Sequence, residues 1–120
     1  EEGVNEKMAE FINPLAYLAD QMTKFTTELG FKGFQNPDEV GAAAVDYLRV
    51  AGHLVFGYIW ARMAQTALRE IAVGNTDQFY LAKVQTARFY FAKLFPETAT
   101  LMRTARSGSR SLMDTDAALA

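Results

Sequence analysis

The sequence predicts an all-α protein: an up-down-up antiparallel bundle of three long helices, the first and third kinked near prolines. Three observations carry that expectation. Apolar residues recur at alternating steps of three and four from Met8 onward, a strong cap signal stands at Asn36–Pro37–Asp38–Glu39, and no segment alternates apolar and polar side chains as a strand would. Long helices joined by short connections must lie beside their sequence neighbours, which fixes the expected topology.

The first seam runs through Met8, Phe11, Leu15, Leu18, Met22, Phe25 and Leu29, the stripe of an amphipathic helix over about residues 5–29. Gly30 is the expected C-terminal stop, and Phe31 to Gln35 the connection that follows. Pro14 falls inside the seam, where it would press on the carbonyl of Glu10. Either the helix begins there behind an Asn13 cap or it kinks, and the unbroken phase of the seam favours the kink.

Asn36 supplies an N-cap acceptor, Pro37 suits the first helical position, and Asp38 and Glu39 face the positive end of the helix dipole. Nothing interrupts the chain from there until Gly74, so a second helix is expected over 37–73, about 37 residues and about 55 Å long. Its midsection, Val50 to Ala61, is apolar nearly all round, which calls for protein on more than one side. Gly41, Gly52 and Gly57 within it are expected to permit close helix packing.

Asn75 or Thr76 is the expected cap of a third helix over about 76–106, with a seam of Tyr80, Val84, Ala87, Phe91, Leu94, Thr98 and Leu101. Pro96 should bend or break it near Leu94 to Glu97. Ser107 to Ser111 reads as a terminator, and 107–120 as a tail to a single domain covering 1–120.

The composition narrows the function. The chain carries a net charge of -2, which is unsuited to general binding of a polyanion, so no nucleic-acid partner is expected. Residues 1–60 hold 4 basic and 9 acidic side chains (-5) and residues 61–120 hold 8 and 5 (+3), making the second half the better candidate to face an anion. The absence of cysteine rules out disulfides and thiolate chemistry, and the longest apolar stretch is far short of the roughly 20 residues that span a bilayer. A cytoplasmic location is the expectation, and a start at Glu1 suggests a piece of a longer polypeptide.

Candidate sites fail for want of partners. His53 is the single histidine, so the two Glu-x-x-His pairs of a di-iron bundle cannot form and no metal site is expected. With no carboxylate one turn away along its own helix, it reads as a hydrogen-bonded core or interface residue, set against a ligand or general base. The acids Asp20, Glu28, Asp46, Glu70 and Asp77 sit among polar positions or at helix ends, as solvated side chains and caps do. No catalytic and no cofactor-binding residue is assigned. Arg103, Arg106 and Arg110 form a basic run that either ends a helix in solvent or meets an anion. The aromatics exceed what one seam can bury, which marks Tyr58, Trp60, Phe89, Tyr90 and Phe95 as candidate contacts with another domain or subunit. A small-molecule pocket among Met22, Tyr58 and Phe91 is a further possibility.

The stretch Asn36 to Ala64, NPDEVGAAAVDYLRVAGHLVFGYIWARMA, followed by FYLAKVQTARFYFAKLFPET from Phe79 to Thr98, resembles the extra C-terminal helical domain of certain long acyl-CoA dehydrogenases, the group that includes methylmercaptopropionyl-CoA dehydrogenase. That resemblance implies a parent flavoenzyme in which a glutamate removes the α-proton of an acyl-CoA while FAD accepts hydride from the β-carbon and passes electrons to an electron-transfer flavoprotein. The catalytic glutamate and most flavin contacts of such enzymes lie upstream, so no residue here inherits them. The implied role is a structural and oligomerisation domain packed on the catalytic domain of its own chain or on a second subunit. The alternative, from the residues alone, is a free-standing homo-oligomeric helical scaffold.

Overall fold

The computed structural model describes residues 2–108, and every regular element among them is helical. In chain order these are α1 (Glu2–Gln35), α2 (Pro37–Ala72), α3 (Gln78–Phe89), a π-helical segment (Tyr90–Leu94) and α4 (Glu97–Ala105). Most of the expected tail lies outside the described residues, as does Arg110.

The end of α1 corrects the sequence expectation. The helix passes through Gly30 and Gly33 to Gln35, its ladder extended by an Asn36 N–H donating to Lys32 O at 2.8 Å. A glycine stop needs a left-handed residue, and among the described residues only Gly74 and Gly108 have positive φ. Gly33 serves a different purpose: a Cβ there would collide with the Val40 side chain, so its bareness lets the last turn of α1 meet the first of α2. Asn36 alone separates the two helices.

Asn36 adopts extended backbone and its side-chain oxygen accepts from the Asp38 N–H at 3.1 Å, with Pro37 in the first turn, as the sequence predicts. At the far end Asn75 N–H donates to Glu70 O and Gly74 N–H to Ile71 O, with Gly74 at φ 91°. This is the paired bonding of a Schellman stop, which satisfies two otherwise orphaned carbonyls. The cap of α3 is Asp77 rather than Asn75 or Thr76, its carboxylate accepting from the Phe79 N–H at 2.9 Å. Asn75 acts one step earlier, where its side chain accepts from the Asp77 N–H and shapes the turn.

Before Pro96 the third run of helix widens. Phe95 N–H reaches back to Tyr90 O at 2.9 Å, five residues away, and α4 begins only after the turn at Phe95–Pro96. The wide turn inserts one residue into the seam. Leu94, expected inside, is 49% exposed, and Phe95 is buried in its place.

Two apolar clusters form the core. One gathers Leu18, Met22, Phe25, Val50, Tyr90, Phe95 and Met102; the other gathers Met8, Phe11, Ala64, Val84 and Ala87. Leu15, Trp60 and Phe91 touch both, so the core is continuous along a slab of 66 × 24 × 15 Å. Small residues on the inner side of α2 make this possible. A Cβ at Gly57 would lie 2.7 Å from Leu15 Cδ2 and 3.1 Å from Phe95 Cε2, so a larger residue there would make both of those side chains give way. Gly41 and Gly52 do no such work within the chain, since a Cβ at either meets nothing within 4 Å.

Candidate functional site

The densest polar cluster joins α2 to the end of the third helical run. His53 Nδ1 lies 2.9 Å from the Tyr90 hydroxyl and Nε2 lies 3.1 Å from Glu97 Oε2, while Arg49 holds the other carboxylate oxygen at 2.5 Å. The Tyr90 hydroxyl also donates to the His53 carbonyl at 3.1 Å. The carboxylate that His53 lacks along its own helix arrives 44 residues later in the chain, a partner that helical spacing cannot show. Burial, and secondarily the Glu97 charge, push the Tyr90 hydroxyl above its ordinary value of 10.0, so its proton is held firmly.

Chemically this cluster is closed. Both imidazole nitrogens have protein partners, leaving neither directed at a substrate or an ion. The Arg49–Glu97 pair is largely exposed, and such a pair contributes at most about 1 kcal/mol, so the cluster serves chiefly to orient α4 on α2. Among the described residues no group of three or more potential ligands could hold a metal ion.

The expected contact aromatics divide. Tyr58 and Phe89 are more than half exposed, the Tyr58 hydroxyl accepting from Arg62 at 3.0 Å. Trp60 is half-buried against both core clusters. Tyr90 and Phe95 require correction: both are buried inside this chain, Tyr90 one helical turn after buried Ala87 and Phe95, carried inward by the wide turn, tilted against Phe91 at 5.1 Å. The proposed pocket among Met22, Tyr58 and Phe91 also fails, since Met22 is core and Phe91 packs on Phe11 at 5.5 Å. Tyr58 instead lines an open apolar groove of about 610 Å³ between α1 and α2, with Met8, Ile12, Leu15 and Leu54.

A second groove, of about 660 Å³, separates α1 from α4, with Tyr17, Gln21, Met102 and Arg103 on its walls. Arg106 at its edge is engaged within the chain: it donates to Gln21 Oε1 at 3.4 Å, approaches Glu28 at 4.0 Å and lies over the Phe25 ring at 5.6 Å.

One apolar surface was missed by sequence reasoning, and a second was foreseen without its residues. Phe31 and Phe34 stand exposed on the last turns of α1, where a connection was expected. On α2, Val45, Leu48, Phe56 and Ile59 are 46–72% exposed on the side away from the core. The all-round apolar midsection announced that face, but only the packing shows which of its residues remain outside. Among the described residues no helix is long and apolar enough to cross a membrane, so this surface is not a spanning segment.

No curated protein matches the chain. A family model described as Acetyl-CoA dehydrogenase C-terminal like matches residues 1–116, nearly the full length. The extent of that match, in keeping with the all-helical fold, places the chain in the Acetyl-CoA dehydrogenase C-terminal-like family.

Proposed function

We propose that the chain is the C-terminal structural and oligomerisation domain of an FAD-dependent acyl-CoA dehydrogenase, the parent enzyme carrying out α,β-dehydrogenation of an acyl-CoA thioester in the cytoplasm. The family match over residues 1–116 carries this reading. In it the helices form an up-down-up antiparallel bundle, kinked at Pro14 and before Pro96. Its support is the order of contacts: Gly33 meets Val40, Thr26 meets Tyr47 and Leu15 meets Gly57, so positions rise along α1 as they fall along α2. His53 with Tyr90 and Arg49 with Glu97 repeat that order between α2 and the third run.

The residues of this chain do not fit a flavin. No buried polar side-chain atom is left without a partner among the described residues, and Arg106 is engaged by Gln21 and Glu28. The reading therefore assigns the flavin, the acyl-CoA and the electron-transfer flavoprotein to an upstream catalytic domain, within the group similar to methylmercaptopropionyl-CoA dehydrogenase. What this chain contributes is surface. Tyr58, Phe89 and the half-buried Trp60 remain the proposed contacts, joined by the outer face of α2.

The test is direct. The 120-residue chain mixed with FAD and an acyl-CoA should reduce no electron acceptor, whereas the complete polypeptide that contains it should do so. Turnover by the chain alone, or a gene that encodes no flavin domain ahead of it, would overturn the reading.

A further inference from the structure

The groove between α1 and α4 opens where the described chain ends. Ser107 forms part of its wall, and Gly108 beside it has φ 83°, the left-handed conformation that stops a helix and turns the chain aside. Residues 109–120 follow and lie outside the described residues. Along α4 the groove passes from Arg106 back to Thr98, about 12 Å of helical rise. A helix over 112–120 rises about 14 Å, which covers that length. The family match also runs through residue 116, so most of this segment belongs to the sequence the family shares, as an element of the packed domain does.

Wall and segment match in character. Leu18 and Met102 give the groove an apolar floor, and Tyr17 on the α1 side is 69% exposed. Arg103 and Arg106 are the charged wall residues, with no acid among the others. Arg106 is held by Gln21 and Glu28, whereas Arg103 is exposed and has no hydrogen bond or ion pair among the described residues. In the segment, Ser111-Leu112-Met113-Asp114 has the pattern of a capping box, which starts a helix. On a helix begun there, Leu112, Asp116 and Leu119 share one face at steps of four and three. An acid between two leucines suits apolar walls that hold one unpaired cation. With 108–111 as the turn, Leu112 stands level with Ser107, Asp116 with Arg103, and Leu119 beside Ala99.

We propose that residues 112–119 dock as a helix in the groove between α1 and α4 of their own chain, antiparallel to α4, with Asp116 paired to Arg103. Tethering favours this occupant over one from another molecule. The segment starts at the mouth of the groove, and a short linker holds it there at an effective concentration on the order of millimolar. Docked in this way it is a fourth member of the bundle, filling the space that α1 and α4 leave between them on α2. The inference goes beyond the role proposed for the domain and does not rest on it, since the contact lies within this chain.

Hydrogen exchange on the 120-residue chain reads the docking, and a charge exchange reads its place. Amides of 112–119 should exchange about tenfold or more slowly relative to an unstructured chain. R103E and D116R should each remove most of that protection, and the double variant R103E/D116R should restore it. Arg103 is exposed, so its replacement leaves the core intact. The chain has no cysteine, which makes introduced thiols the only pair. Under mild oxidation A99C/L119C should close its internal disulfide about tenfold faster than T104C/L119C, whose first thiol stands on the far side of α4. In an undocked segment the shorter 104–119 loop closes at least as readily as 99–119. Exchange of 112–119 at the unstructured rate, protection that R103E leaves unchanged or that the double variant fails to restore, or A99C/L119C linking no faster than T104C/L119C would overturn the proposal. So would a segment that exchanges freely in the complete polypeptide, which gives the groove to the upstream domain.

Discussion

At the scale of single residues, the link between α2 and the π-helical segment depends on one phenol. Tyr90 both faces His53 Nδ1 and donates to the His53 carbonyl, so Tyr90→Phe removes two contacts at once. A net loss of about 1 kcal/mol in urea unfolding is expected at neutral pH, the usual net worth of such bonding. The pH dependence has a definite sign. Because the folded protein holds the Tyr90 proton more firmly than the unfolded chain does, its stabilising contribution is complete below pH 10.0 and is lost as pH rises through the higher folded-state value. Unfolding midpoints measured from pH 8 to 12 should therefore show the gap between wild type and Tyr90→Phe closing above pH 10.0. A constant gap would contradict the assignment. None of this was legible in the sequence beyond the solitude of His53, since Glu97 and Tyr90 come from a helical run that only tertiary packing brings near.

At the scale of elements, local chemistry was readable and long-range phase was not. Asn36 and Gly74 act within a few residues of themselves, and the structure finds both at the ends of α2 as expected. Gly30 shows the limit. Glycine accepts helical and left-handed backbone alike, so the residue alone could not decide whether α1 stopped there, and the Gly33–Val40 contact favours the longer helix. The π-turn was hidden for a similar reason. Pro96 announced an interruption, but the helix absorbs it by widening upstream, which exchanges Leu94 for Phe95 in the core. The stop of α2 gives a clean check. Gly74→Ala forces a Cβ into φ 91° with open space around it, so the expected loss, about 1–2 kcal/mol by urea unfolding, is purely one of backbone conformation. No change would show that the turn is not held as described.

At the scale of the whole molecule, the elongated slab leaves its central helix covered on one side only. Core burial uses Ala43, Val50, Gly57, Ala61 and Ala64 on the inner side of α2, while Val45, Leu48, Phe56 and Ile59 look outward. The sequence showed that one seam could not cover this helix; it could not show which residues the chain would leave bare, because that depends on where α1 and the third run dock. The central claim, that the chemistry lies upstream and this domain serves assembly, is tested most directly by cutting the complete polypeptide ahead of residue 1. Flavin bleaching by an acyl-CoA under anaerobic conditions and sedimentation should be followed on the pieces. The account predicts that the upstream piece retains bleaching but sediments as a smaller assembly than the intact polypeptide, and that the 120-residue chain bleaches no flavin. Bleaching that travels with the 120-residue chain, or an upstream piece with unchanged assembly, would contradict it.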